Sequence, residues 1–503
     1  MNTLVYIFLF AISSFFCPLF ADSYKTVLRW DWSALEDAGK TSWGVLKQQF
    51  PHTLSWGVGD SAFQTEGTQT DTGHCQNNWT TFEKAPLVGT SCDRWTRYQE
   101  DINNCVACGF DTYRMSVEWS KIEPQENLFD YGVLDHYRDV VRYAKDKGLK
   151  VMVVLWHHTW PVWFGDLGGW EPKKVIIKNS SRARALIKDF NWTIEKNIQH
   201  DTKLLVEKNN NYAFVRYAAT VVQHLQEYVD VWMPFNEPDG YAMQGFFRGV
   251  YPPCKKDLAL AGRVIATMLD AHVATAKIIR KINPNAQISV TKVVQHIDPC
   301  RWWHPVEVAV TTLFDNLFNT SFIRFFKDGV FEWYIPAKLH VRYENADAHD
   351  SIDFFGVNYY SHSTIKINVA PPGVDHAVQH QNEAKTDNGW VVYPEGLYRA
   401  LLRCSEIGKP LLIAENGIAD AHDALRDLFI RQHLYALNKF LSEHECPVLG
   451  YHYWSLTDNY EWTQGYTQKF GLYNIDHEHN NARILRKSAY GFVDFIQHQN
   501  IKA

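Results

Sequence analysis

The sequence predicts an α/β protein built as a single (β/α)8 barrel, the TIM-barrel architecture, with enlarged βα loops. Eight apolar, β-rich runs alternate with longer helical patterns from about residue 53 onward. The runs are continuously apolar, which is typical of parallel strands covered on both faces. No linker rich in Pro, Gly or Ser divides the 503 residues, so one large domain accommodates the whole pattern.

The predicted strands have similar lengths and are separated by longer helical stretches. They are TLSWGV (53–58), FDTYRMSV (110–117), KVMVVLW (150–156), VDVWMPF (229–235), AQISVTKVV (286–294), IDFFGVNYY (352–360), KPLLIAE (409–415) and VLGYHYW (448–454). The longest predicted helix is LALAGRVIATMLDAHVATAKIIRKI, between the fourth and fifth strands. Two long stretches, at about 157–210 and 295–350, are predicted insertions. A doubly wound open sheet is the alternative fold, but its GxGxxG turn is absent.

The first 21 residues form an apolar stretch that has no charge before Asp22. The stretch predicts a signal peptide at 1–21, with the barrel domain at 22–503, and therefore an exported protein. An uncleaved membrane anchor is the alternative. No later run is long and apolar enough to suggest a span, so we expect no membrane partner after cleavage. Four sequons, at Asn78, Asn179, Asn191 and Asn319, are weak indications of a glycoprotein.

Charge and cysteine content narrow the function classes. A net charge of -6 provides no broad basic field, so nucleic acid is not an expected partner. Eight cysteines follow the predicted signal, and Cys75 with Cys92 is the most local candidate disulfide. Cys105 and Cys108 lie in a predicted amphipathic helix, which favours buried thiols over a metal site. We expect neither a metal nor a cofactor, and the oligomeric state stays open.

Polar and aromatic side chains recur where the predicted strands end. In a barrel these ends and the loops after them carry the chemistry. Each residue alone can be explained by an ordinary structural role. A fold by itself, however, does not require such a ring of functional groups at one end of the barrel. The ring consists of Gln64, Arg114, His157, Asn236, Glu237, Asn358, Tyr360, Glu415, Trp454, Glu461 and Trp462.

Two members of this ring are glutamates at the ends of apolar strands, in FNEP and IAENG. Glycoside hydrolysis needs one carboxylic acid to protonate the leaving oxygen and one carboxylate to attack the sugar or activate water. We expect Glu237 and Glu415 to be this catalytic pair. The charge of one carboxylate holds the proton of the other to higher pH, as an acid near neutrality requires.

Six motifs in order resemble glycoside hydrolase family 1, the retaining β-glycosidases. The motifs are SWGVGDSAFQTEG, YRMSVEWSKIEP, FNEP, DFFGVNYYS, IAENG and YHYWSLTDNYEWTQGY, and the resemblance runs from about residue 53 to 495. It implies a two-step covalent mechanism with Glu237 as acid/base and Glu415 as nucleophile. By the same resemblance, Asn236 binds the sugar 2-hydroxyl, and Arg114 and Tyr360 hold and ionise the nucleophile.

The resemblance also implies the sugar-binding set. Gln64, His157, Trp454, Glu461 and Trp462 are expected to bind the hydroxyls and the face of the terminal sugar. Glu461 and Trp462 are retained where members acting on 6-phosphorylated sugars differ, which favours an unphosphorylated β-glucoside, with a β-galactoside or β-fucoside as alternatives.

One departure from the family is visible at WHHTWP, where many members have His-Trp-Asp or His-Phe-Asp after the strand. His157 and His158 are not expected to bind a metal, since adjacent residues of an extended segment point opposite ways. A transglycosylase and a carbohydrate-binding pseudoenzyme remain alternative functions.

Overall fold

The computed structural model describes residues 30–502 except 52, 71–72, 179–183, 185–187, 189–192, 199–202, 370–371 and 376–382. The predicted signal peptide therefore lies outside the described residues, as do the sequons at Asn179 and Asn191. The described chain forms a closed barrel of eight parallel strands. This confirms the predicted (β/α)8 fold.

Each barrel strand lies within one of the eight predicted runs or overlaps it closely. The strands are β1 (Ser55–Gly59), β2 (Thr112–Ser116), β3 (Lys150–Val154), β4 (Val231–Met233), β5 (Gln287–Val293), β6 (Phe354–Asn358), β7 (Leu411–Asn416) and β8 (Val448–Trp454). They follow one another around the barrel in chain order, and β8 pairs with β1 to close it. Parallel neighbours bring all eight carboxyl ends to one rim.

One long helix follows each strand and packs on the outside of the barrel. These helices are α1 (Arg94–Ala107), α2 (Tyr131–Asp146), α3 (Asn211–Leu225), α4 (Leu258–Ile282), α5 (Ser321–Asp328), α6 (Glu395–Ser405), α7 (Arg426–Glu443) and α8 (Tyr490–Lys502). Aspartates cap two of them: Asp130 accepts a hydrogen bond from the Val133 amide, and Asp257 from the Leu260 amide. Such caps satisfy amides that have no partner within the helix.

Additional elements enlarge the carboxyl rim, as the sequence predicts. The β3 loop contains the helix Val162–Asp166 and the strands Lys173–Lys178, Thr193–Ile198 and Lys203–Lys208. After β5 come the strand His296–Pro299, the helix Pro305–Asp315 and the π-helical turn Asn316–Thr320. The hairpin Val330–Ile335 with Leu339–Glu344 follows α5 instead and packs against the outer helices α4 and α5. The β6 loop adds the strands His362–Val369 and Pro372–Asp375.

The remaining elements are short and lie in loops. The helices are Trp32–Asp37, Trp43–Leu46, Ala62–Glu66, Trp119–Ile122, Pro238–Ala242, Met243–Arg248, His349–Ser351, Trp462–Gln464, His477–His479 and Lys487–Ala489. The strands are Gln69–Thr70, Gly73–His74, Tyr473–Asp476 and Ala482–Leu485.

The interior of the barrel is a packed core. It is filled from several strands by buried side chains that include Met152, Val154, Met233, Phe354 and Leu412. A second and larger apolar layer lies between the strands and the outer helices. The floor beneath the rim is therefore rigid, which fixes the side chains at the strand ends.

Helix α4 corrects one expectation from the sequence. By length and hydropathy it could cross a membrane, but 67% of its most apolar stretch is buried inside the protein. It packs along α3 in the outer helical layer, with Val264, Met268 and Ile279 fully buried. Its apolar character is explained by this packing, because a helix covered on most sides is apolar on most sides.

The structure also answers the questions raised by the cysteines and the described sequons. Cys105 and Cys108 are buried in and after α1, as predicted, and no disulfide joins Cys75 to Cys92. Asn78 and Asn319 are buried, and their amide nitrogens donate to protein acceptors. A glycan attaches to this nitrogen, so neither side chain can carry one in the folded chain.

Candidate active site

The two glutamates reach the carboxyl rim by different local geometries. Glu237 follows β4 as the N-cap of the helix Pro238–Ala242, and its φ is +45°. Glu415 is the next-to-last residue of β7 and is buried. A Cβ at Gly417 would lie 1.8 Å from the Trp454 carbonyl oxygen, so only glycine allows β7 and β8 to approach this closely.

Glu415 is held by two donors from other strands. The Arg114 guanidinium, on β2, donates from Nη1 to Oε1 at 2.8 Å. The Tyr360 hydroxyl, just after β6, donates to Oε2 at 2.7 Å. Burial raises the pKa of the Glu415 carboxyl, but the Arg114 charge and the Tyr360 hydrogen bond oppose this shift. Glu415 is thus the member of the pair that ionises first.

Glu237 has no cationic partner of this kind among the described residues. The amide nitrogen of Asn358, at the end of β6, donates to its Oε1 at 2.7 Å. Burial, followed by the charge of Glu415, raises the pKa of the Glu237 carboxyl to about 8. The sequence predicts the effect of the neighbouring charge, but burial is the larger cause. At neutral pH Glu237 therefore holds a proton beside an ionised Glu415.

Asn236 connects the strands that surround the two carboxyls. Its side-chain oxygen accepts hydrogen bonds from Arg114 at 2.7 Å, from Asn358 at 3.1 Å and from the Thr291 hydroxyl of β5. Three donors on the oxygen fix the orientation of the amide. Its nitrogen consequently points toward Nε2 of His157, at 3.0 Å.

This contact also assigns the protonation of His157. Burial lowers the pKa of the ring well below its usual value, so the imidazole is neutral. Because Nε2 faces the amide donor of Asn236, the proton is on Nδ1. Nδ1 is buried and has no hydrogen-bond partner among the described residues.

The far wall of the site comes from β1, β8 and the loop after β8. The side-chain nitrogen of Gln64 donates to the Tyr460 carbonyl at 2.9 Å and lies 3.4 Å from Oε2 of Glu461. Burial, followed by the charge of Glu415, raises the pKa of Glu461 to about 8. The rings of Trp454 and Trp462 stack on His157, with centroids 5.7 and 6.2 Å from it.

The structure thus places every residue of the predicted ring in one region. Each residue either contacts another member directly or interacts electrostatically with one of the two glutamates. It corrects the geometry of the histidine pair. His158 has a φ of +70°, so the segment is not extended, and its ring lies 5.0 Å from that of His157. No group of three or more metal-ligating side chains occurs in the part of the chain that the structure describes.

Sequence reasoning missed the contribution of β5. The predicted ring takes no residue from this strand, yet Thr291 donates to Asn236 and Lys292 lies behind Glu237. Asn459 was also missed, although its side-chain oxygen lies 3.3 Å from the nitrogen of Gln64. The signal was present for β5, because Thr291 and Lys292 place two polar side chains close to the carboxyl end of the strand.

Comparison with solved structures places this site in a known architecture. A β-glycosidase from Pyrococcus horikoshii matches with a TM-score of 0.74 and 29% identity, covering 90% of this chain and 95% of that one. A family 1 β-glucosidase from Thermotoga maritima shares the fold, with a TM-score of 0.73 at 24% identity. It covers 90% of this chain and 99% of its own.

Sequence comparison agrees. β-Glucosidase A from Thermotoga maritima is 25% identical over 482 residues, which span 90% of this chain and 99% of that protein. The chloroplastic galactolipid galactosyltransferase SFR2 from Arabidopsis thaliana is 26% identical over 444 residues, 84% of this chain and 60% of that one. The profile of glycosyl hydrolase family 1 matches residues 46–212 and 192–501. The chain belongs to glycosyl hydrolase family 1 and is a β-glucosidase-like O-glycosyl hydrolase.

Proposed function

We propose that this protein is an exported, retaining β-glycosidase that removes terminal non-reducing β-D-glycosyl residues, a β-glucoside first among them. The observation that carries the mechanism is the asymmetry of the two carboxyls. Arg114 and Tyr360 contact Glu415, whereas Glu237 receives only the Asn358 amide among the hydrogen bonds described. This difference supports Glu415 as the nucleophile and Glu237 as the acid/base. Export is supported by the apolar first 21 residues.

In the first step, Glu415 attacks the anomeric carbon while Glu237 protonates the departing oxygen. The new ester neutralises Glu415. This removes one of the causes that raise the pKa of Glu237, and that pKa falls. Glu237, now ionised, can take a proton from the water that hydrolyses the ester. The same residue serves as acid and then as base because the charge of its neighbour changes between the steps.

The remaining polar groups are assigned to the sugar. Asn236, whose amide is held in one orientation, is assigned to the 2-hydroxyl, and the neutral ring of His157 to another hydroxyl. Gln64 and Glu461 supply acceptors for hydroxyls at the far side of the ring, and the indoles of Trp454 and Trp462 suit its C–H face. Glu461 and Trp462 leave no cation for a 6-phosphate, so the proposed glycone is unphosphorylated.

The decisive experiment uses Glu237→Ala with two substrates. An alkyl β-glucoside needs a proton on its leaving group, whereas dinitrophenolate departs as a stable anion. We expect a loss of about 10³-fold on the alkyl substrate and a much smaller loss in the first step on the dinitrophenyl substrate. Azide, which needs no base, should restore turnover and form a β-glycosyl azide. Equal losses on both substrates without azide rescue would remove Glu237 from the acid/base role.

Transfer to a sugar instead of water is the second candidate function. It is favoured by the similarity to the Arabidopsis galactolipid galactosyltransferase, although this chain spans only 60% of that protein. The two reactions share the glycosyl-enzyme and differ in the acceptor. Turnover of a nitrophenyl β-glycoside with and without added galactoside acceptors separates them. Free sugar as the main product at millimolar acceptor supports hydrolysis, and a disaccharide as the main product supports transfer.

A further inference from the structure

A buried ion pair is formed by a residue that follows Glu237 closely in the chain. Asp239 is the second residue of the helix Pro238–Ala242, which begins at Glu237. The Lys292 ammonium, on β5, donates to its Oδ2. The side chains of Asp239 and Lys292 are 3% and 0% exposed, so no water replaces this contact.

The three donors of the Lys292 ammonium are all used. Besides Asp239, Nζ donates to the carbonyl oxygens of Phe318 at 2.7 Å and Val293 at 3.1 Å. The ammonium also lies 4.4 Å from the ring centroid of Phe318 and 5.3 Å from that of Phe322. A buried ammonium with three acceptors and two aromatic faces has one well-defined position.

These contacts join three separate parts of the fold. Lys292 belongs to a barrel strand, Asp239 to the loop that carries Glu237, and Phe318 to the turn Asn316–Thr320 in the enlarged segment after β5. The backbone adds a nearby link, since the Glu237 amide donates to the Thr291 carbonyl at 3.0 Å. The helix that starts at Glu237 is thereby fixed to the rigid barrel wall.

We propose that the Asp239–Lys292 pair is a positioning device for Glu237, which anchors its helix to β5 and holds the Asp239 carboxylate buried beside the acid/base. This rests on the role of Glu237 proposed above. The pair does not contact the substrate. It acts by keeping the Glu237 carboxyl where it can reach the leaving oxygen, and by fixing the buried Asp239 carboxylate at a distance from which its charge helps Glu237 keep its proton.

Several other groups interact electrostatically or by hydrogen bonds with Glu237. These interactions remain when Asp239 or Lys292 is replaced. They are Glu415 on β7, Arg114 on β2, Asn358 and Tyr360 from β6, and Tyr251 in the β4 loop. Cys404 of α6 lies within the field of Lys292. Burial, Glu415 and then Asp239 raise the pKa of Glu237, and the Asn358 hydrogen bond and then Arg114 oppose them. Loss of the Asp239 charge should therefore make Glu237 more acidic.

The test is Asp239→Asn, measured on an alkyl and a dinitrophenyl β-glucoside over a range of pH. We expect kcat/KM to fall about tenfold on the alkyl substrate and less than about twofold on the dinitrophenyl substrate, because only the former needs the proton of Glu237. The basic limb of the alkyl profile should move down by roughly one pH unit. Equal losses on both substrates, or an unchanged limb with unchanged rates, would overturn the proposal.

The matched control is Asp101→Asn. Asp101 is also a buried aspartate, paired with Arg483 at 2.8 and 2.9 Å, but on α1 and outside the site. It should reduce stability without changing the ratio of the two rates. If Asp239→Asn does not fold, Lys292→Arg keeps the charge but enlarges the cation. The ratio of the rates on the alkyl and dinitrophenyl substrates should then change, while the basic limb of the pH profile stays in place. An unchanged ratio would overturn the proposal.

The azide experiment separates this inference from the proposed function. If Glu237→Ala shows no azide rescue, the acid/base assignment fails. If azide rescues Glu237→Ala while Asp239→Asn leaves the ratio and the limb unchanged, the assignment stands and only the positioning role fails.

Discussion

The two ends of the barrel use carboxylates in opposite ways. At the amino end, Asp111, Asp230 and Asp353 immediately precede β2, β4 and β6. Each accepts a hydrogen bond from the second amide of the strand before it, at 3.1, 2.7 and 2.7 Å. At the carboxyl end, Glu237 and Glu461 are held where their pKa values rise to about 8.

The contrast shows how one fold separates stability from chemistry. The aspartates at the amino end also contact donors such as the Lys145 ammonium, 2.9 Å from Asp230, and the Arg280 guanidinium, 3.2 Å from Asp353. Asp230 and Asp353 thus lie beside cations, and all three aspartates tie neighbouring strands together through their hydrogen bonds. The rim glutamates are buried near the charge of Glu415, which makes ionisation costly. That cost is what leaves a proton available for catalysis at neutral pH.

The largest effect should come from Glu415→Gln at the rim. The amide cannot form the glycosyl ester, so we expect kcat on a nitrophenyl β-glucoside to fall at least about 10⁴-fold. Substrate binding should survive, because Gln64, His157 and Trp454 are untouched. Steady-state kinetics and a binding titration with a non-hydrolysable glycoside measure the two quantities. A rate within tenfold of the wild type would mean that another carboxylate is the nucleophile.

A smaller effect is expected from Glu461→Gln. We expect kcat/KM to fall roughly 10- to 100-fold, as for loss of a hydrogen bond to a charged or strongly polar group. Whereas the substitution lowers activity, at high pH it should favour the folded state. Burial and Glu415 raise the folded pKa of Glu461 to about 8, above its ordinary 4.5. Between these two pH values the folded protein therefore keeps a proton on Glu461 that the unfolded chain has lost. The stabilisation that this group contributes below pH 4.5 is lost as the pH rises through 8.

Glutamine at position 461 removes this linkage. The thermal midpoint of the variant should fall less than that of the wild type between pH 5 and about 9. Thermal unfolding followed by circular dichroism at several pH values measures the difference. Parallel curves for the two proteins would show that Glu461 does not titrate in this range, and would weaken the contrast between the rim and the amino end.

The smallest effect on activity should come from Asp230→Asn at the amino end. It weakens the contacts with the Val151 amide and the Lys145 ammonium, so we expect a loss of about 1–3 kcal/mol in the free energy of unfolding. The rate constants should stay within about twofold of the wild type, since the contacts of Asp230 with described residues all lie at the amino end. Urea unfolding and steady-state kinetics test both. A large loss of activity in a stable protein would contradict the division between the two ends.

The sequence by itself determined the barrel and the composition of its rim. Eight apolar runs separated by helical patterns admit few topologies, and strand ends in a parallel barrel must meet at one mouth. Glu237 and Glu415 could therefore be paired, although they are far apart in the chain. The family motifs added roles for side chains such as Arg114 and Gln64, whose residue types alone also suit a protein surface.

Only the tertiary structure decided how those side chains are partnered. The sequence does not show that Asn236 accepts from Arg114, Asn358 and Thr291, or that Lys292 lies against Asp239, because these contacts join residues from different strands. The same holds for α4, whose apolar surface suits a membrane or a protein interior equally well. Hydrogen bonds and pKa values depend on distances of a few ångströms between distant parts of the chain, and only packing sets those distances.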